Sequence, residues 1–191
     1  MKAPALLLAL AAASGLAAGA NNISKPFNLV IKSSDKGLNG QAFGQCHTGA
    51  GIESMCLIKG YKSTYFLETW QDGEEPDGFL ECALHSQPPT TGSMSFHIDP
   101  SSNVALPLFS AGAAGAGQLA GFDKKGELKI KVYVEDTTLP PGGTPPRALK
   151  HWYVCDTYFQ AYSYKTLAWV LGVGKPQNPS CVKVQVRREF I

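Results

Sequence analysis

The sequence carries almost no surplus of charge. Its 17 Lys and Arg face 15 Asp and Glu, for a formal net charge of +2. With no basic stripe to follow a phosphate backbone, nucleic acid is not an expected partner. Neither a Cys-x-x-Cys nor a His-x-x-x-His spacing occurs, so no zinc site and no other metal or cofactor is expected. The Gly-x-Ser-x-Gly elbow of an α/β-hydrolase is missing as well. Long amphipathic runs of period 3.6 are also lacking, and 20 Gly and 13 Pro leave little room for long helices.

One long apolar run is present, and it is short for a membrane span. Residues 5–13 are Ala and Leu only, preceded by Lys2 and followed by small residues ending Ala18-Gly19-Ala20. A basic start, a short apolar core and a small-x-small ending read as a cleavable signal peptide over 1–20. A transmembrane anchor would need roughly 20 apolar residues. The expected product is residues 21–191, secreted and extracellular, with no membrane attachment after cleavage. Asn22-Ile23-Ser24 is an N-glycosylation sequon, so Asn22 is a candidate modification site.

The five cysteines are Cys46, Cys56, Cys82, Cys155 and Cys181. In an oxidising compartment two bridges and one spare thiol are expected, among about 15 arrangements. The favoured pairing is Cys46–Cys56 and Cys155–Cys181. The first closes a short loop and the second ties neighbouring C-terminal segments. Cys82 stands in an apolar stretch and is the expected free thiol. Cys46 and His47 are adjacent, so on a strand they point to opposite faces and cannot act as a thiolate–imidazole pair.

The dominant period is two. It is clean over 27–32, 128–134 and 182–187, where apolar residues alternate with polar ones such as Lys129 and Lys131. That is the pattern of half-buried strands. Further strand candidates are 55–59, 64–70, 79–85, 93–98, 104–109, 152–159 and 167–171, separated by Asp-Gly and similar turns. Residues 49–55 could hold one helical turn. Residues 110–117 contain only Gly, Ala and Ser and read as a loop. Residues 139–146 carry Pro140-Pro141 and Pro145-Pro146 and read as a stiff connection between strands. The expected fold is all-β: a single-domain antiparallel β-sandwich over 21–191, with a β-trefoil or closed β-barrel as alternatives.

The sequence resembles a family of small secreted proteins of filamentous fungi that carry one domain of unknown function. The resemblance rests on Cys46-His47-Thr48-Gly49-Ala50-Gly51-Ile52-Glu53, on 102–109, and on the long stretch 152–191 with Trp152-Tyr153-Val154-Cys155 and Asn178-Pro179-Ser180-Cys181. It implies fungal origin and secretion, and it assigns no chemistry to any residue.

Candidate chemistry is sparse. Asp72, Glu74, Glu75 and Asp77 sit together in a turn-forming stretch and read as a solvated hairpin loop. Asp156 interrupts an aromatic strand and is expected to cap a turn or face solvent. His47, His85, His97 and His151 are scattered. The aromatic C-terminal third is the most suggestive region. Trp152 and Trp169 are expected in the core. Tyr158, Tyr162 and Tyr164 are the candidates for an exposed ligand-binding surface, because Tyr offers a flat apolar face with a polar rim. Tyr162 and Tyr164 share strand parity and could form one platform. The function expected is that of a non-enzymatic module binding a polysaccharide, a cell-wall glycan or a surface protein. The alternatives are a secreted hydrolase with carboxylates from distant strands, and a structural wall component or effector without a small ligand.

Overall fold

The computed structural model describes residues 22–70, 75–84, 90–135 and 137–191. Among them there are strands and no helix. In chain order the strands are β1 (Asn22–Ile23), β2 (Phe27–Lys32), β3 (Gly44–Gly49), β4 (Ile52–Cys56), β5 (Tyr65–Thr69), β6 (Asp77–Ala83), β7 (Thr91–His97), β8 (Val104–Ser110), β9 (Leu119–Phe122), β10 (Leu128–Glu135), β11 (Gly142–Leu149), β12 (Trp152–Phe159), β13 (Tyr162–Val170), β14 (Val182–Lys183) and β15 (Gln185–Phe190).

All pairings are antiparallel, as expected, and they form one sheet that curls into a half-barrel. One wall holds β15, β2, β5, β6, β9, β10 and β11. The other holds β8, β4, β13, β12 and β14, with β3 beside β4. Strand β7 belongs to both, pairing with β6 along one edge and β8 along the other. The two faces of the expected sandwich are thus two parts of one curled sheet. An isolated bridge between Glu127 and Arg187 brings the start of β10 beside β15.

Between the walls lies the main core. Phe27, Leu29 and Ile31 of β2, Leu128 and Ile130 of β10, and Val184 and Val186 point into it. Trp152 is its largest fully buried member. It is fully buried, its Nε1–H donates to the Leu128 carbonyl at 2.9 Å, and its ring meets Trp169 edge-on at 4.8 Å. Both tryptophans are core residues, as their sequence context suggested.

The second wall is apolar on its other face too. Val104, Leu106, Leu108, Cys155 and Ala168 form a smaller cluster there, covered in part by Ile52, Tyr153, Phe159 and Cys181. Burial of both faces explains two departures from expectation. Residues 49–55 hold no helical turn; they are the junction and second strand of the β3–β4 hairpin. Both strands are buried nearly throughout, so neither shows an alternating pattern.

Three further expectations are corrected. Pro145 and Pro146 are not in a connection; they lie within β11, whose other edge is unpaired among the described residues. The register of β10 and β11 shifts between Val132 and Val134, opposite this Pro-Pro pair. Proline is tolerated there because a bulge on an edge strand needs no amide donor. Lys129 does not face solvent either. It is buried, and its ammonium lies 2.5 Å from Glu75. Glu75 and Asp77 are therefore not a freely solvated loop, since Asp77 pairs with Lys131. Asp156 is exposed, as expected, and pairs with Lys165 at 2.8 Å.

Candidate functional site

Strands β12 and β13 form a long hairpin with Trp152 opposite Trp169 at one end and Phe159 opposite Tyr162 at the other. Side chains directly opposite one another leave the same face of an antiparallel pair. Phe159, Tyr162, Thr157 and Tyr164 therefore share one face, and Tyr158 and Ser163 the other. The three tyrosines singled out from the sequence are thus divided. Tyr162 and Tyr164 stand together, half-buried, with centroids 6.2 Å apart and planes 6° from parallel. The His47 ring meets Tyr162 edge-on at 5.2 Å and backs the pair. Tyr158 lies on the opposite side and is 71% exposed.

Tyr158 borders a cleft of about 530 Å³ at the hairpin end. Phe159 packs on the outer cluster, and its ring meets His97 edge-on at 4.7 Å. These rings form an apolar wall. Polar groups come from the β7–β8 loop (Asp99, Ser101, Ser102), from Gln160 in the hairpin turn, and from Asn178. The Cys155–Cys181 disulfide, with Cα atoms 4.1 Å apart, holds the 178–181 segment against β12. The Ser180 hydroxyl accepts the Asp156 amide at 2.9 Å, and Asn178 Nδ2 donates to the Asp156 carbonyl at 2.8 Å. The cleft is therefore built on rigid backbone.

Aromatic, hydroxyl and amide groups make up most of its lining. Asp99 is the one carboxylate among the residues lining it. Hydrogen bonds from the Ser101 hydroxyl and amide hold the Asp99 carboxyl below the usual Asp value, so it is ionised at neutral pH and poorly suited to donate a proton. Glycoside hydrolysis ordinarily requires two carboxyl groups flanking the bond. Among the described residues, no group of three or more His, Cys, Asp or Glu side chains is placed to hold a metal ion.

The remaining candidates fall as follows. Cys46 pairs with Cys56, with Cα atoms 5.8 Å apart, and Cys82 is free and buried. Burial is the main influence pushing the Cys82 thiol well above its ordinary pKa. The nearby Glu53 carboxylate adds to this, against a bond from Gln45. That thiol is inert as a nucleophile. Asn22 is exposed on β1. The expected leader 1–20 and the expected cut before Asn21, with Asp72, Glu74 and His85, lie outside the described residues. Among the described residues no helix is long and apolar enough to cross a membrane, which together with two disulfides is compatible with an extracellular setting.

The cleft escaped sequence reasoning because Asp99, Tyr158 and Asn178 come from distant segments. Only the aromatic density near residue 159 signalled it. The family described as "Domain of unknown function (DUF7907)" matches residues 24–190, and the chain belongs to that family. No curated protein and no solved structure matches it.

Proposed function

We propose that this member of the family is a secreted fungal protein that binds glycan at a cell wall or other surface without cleaving it. The aromatic end of the β12–β13 hairpin is the binding element. The observation that carries this reading is the parallel, half-exposed pair Tyr162 and Tyr164 on one face of β13. Stacked rings at the spacing of alternate strand residues set two apolar bodies with hydroxyl rims in a row along β13, which suits successive sugar units better than a single small ligand. The polar cleft beside Tyr158 and Phe159 supplies hydroxyl partners at the same hairpin end. Secretion is supported by the signal-like leader and the disulfides, and the secreted form begins at Asn21.

Amide shifts of the secreted protein, followed during titration with soluble chitin, β-glucan or cellulose oligomers, test the placement. Perturbations clustered over 157–164 support it. Perturbations confined to the β9–β11 wall contradict it.

A further inference from the structure

A second cavity, separate from the tyrosine pair, lies at the turn that follows β4. It measures about 710 Å³ and is lined by Gln41, Ala42, Leu57, Ile58, Lys59, Gly60, Tyr61, Lys62 and Lys165. We propose that it is a binding site for acidic sugars, taking a uronic acid unit with its ring on Tyr61 and Ile58 and its carboxylate toward Lys59 and Lys62.

The local sequence builds this site. Ile58 and Tyr61 are bridge partners across a four-residue turn, and the Tyr61 amide donates to the Ile58 carbonyl at 3.1 Å. Gly60 holds φ +74° at the third position, a conformation open chiefly to glycine. The turn thereby sets Ile58 and Tyr61 side by side, 38% and 37% exposed. The Tyr61 ring lies against the backbone of Gly44, where a Cβ would overlap it. Both ends of the turn are fixed. Cys56 precedes it and is bridged to Cys46, and the Leu57 amide donates to the Lys165 carbonyl at 2.9 Å. Beyond it, Ser63 is buried; its carbonyl accepts Asn28 Nδ2 and its hydroxyl accepts the Gln45 amide, each at 2.9 Å. The ligand surface is therefore preorganised.

Charge selects the ligand. Three lysines line the cavity and no carboxylate does. Lys165 shares its charge with Asp156, while Lys59 and Lys62 have no ion pair among the described residues. An anion is the complement. The apolar part is formed by Ala42, Leu57, Ile58 and Tyr61, side chains that suit the apolar face of a sugar ring. Ammonium groups on flexible stems serve hydroxyl and carboxylate oxygens alike. An acidic oligosaccharide matches that combination of ring surface and cations.

The test is calorimetric titration of the full secreted protein with a galacturonic acid oligomer, a neutral galactose oligomer of equal length, and anionic lipid vesicles. The acidic oligomer is expected to bind, weakening with added salt, and at least tenfold more weakly in K59E/K62E. K59R/K62R should retain binding. Y162A/Y164A run in parallel separates the two readings: loss of acidic-oligomer binding in that variant with binding kept in K59E/K62E would place the oligomer on the tyrosine face and overturn the proposal. Circular dichroism checks that K59E/K62E stays folded; both side chains are exposed, so it should. No binding of the acidic oligomer, equal binding of the neutral one, unchanged binding in K59E/K62E, or binding of the vesicles instead would each overturn the proposal.

Discussion

Tyr162 and Tyr164 hold their rings within 6° of parallel, 6.2 Å apart, on the same face of β13. Both are half-buried, so neither is a core residue in the manner of Trp152. Replacing both by Ala should cost less than truncating one fully buried aromatic, so below about 3 kcal/mol. It should also abolish glycan retention. Thermal unfolding and binding measured on the same sample check the two halves separately.

Trp152 is the contrasting case. It fills the centre of the core, donates to the Leu128 carbonyl and contacts both Trp169 and Phe96. Trp152→Ala should destabilise by about 3–5 kcal/mol, the range for truncating a buried large aromatic. Denaturant unfolding measures it. A loss below that of the double tyrosine variant would contradict the core assignment.

The cysteines give a count. With Cys46–Cys56 and Cys155–Cys181 bridged and Cys82 buried, no thiol should react with a chromogenic disulfide reagent in the native protein. One thiol per chain should react after denaturation without reductant. Three reactive thiols would mean that one bridge is absent in solution. Cys155→Ser with Cys181→Ser should cost about 3–4 kcal/mol, as expected for a loop of that length.

Asp123 contributes to the acid limb of stability. Burial disfavours its carboxylate and is the largest single influence. Bonds from Lys150 Nζ at 2.5 Å and from the Lys125 and Glu127 amides at 2.8 and 2.9 Å together outweigh it, so the carboxyl sits below the usual Asp value. A carboxyl depressed in the folded state stabilises above its unfolded pKa, and that contribution is lost as pH falls through the folded value. Stability should therefore hold at neutral pH and decline below about pH 4. Asp123→Asn should flatten that decline, as read from unfolding midpoints at pH 2–6.

Much of the fold was legible because half-buried strands alternate. Strands β2 and β12 coincide with their expected ranges, and the all-β class followed from turns and alternation. What stayed hidden was hidden for physical reasons. β3 and β4 are covered on both faces, with Gln45, Glu53 and Ser54 buried beside apolar neighbours, so polarity gave no parity. The prolines of β11 mimic a linker, and only the bulge on an edge strand reconciles them with pairing. At the site, parity correctly joined Tyr162 to Tyr164. Tyr158 went to the opposite face because its partner across the hairpin is Ser163. Neither the Asp99 cleft nor the Lys59–Lys62 cavity was legible, since each is assembled by the topology from segments far apart in sequence.

Retention on insoluble polysaccharide tests the central claim most directly. Disulfide-intact residues 21–191 would be incubated with chitin, β-glucan, cellulose, and intact fungal and plant walls, with Y162A/Y164A in parallel. The account predicts saturable retention on one polymer, competed by its soluble oligomer and lost in the double variant. Absence of retention on every surface, or equal retention of the variant, would contradict it.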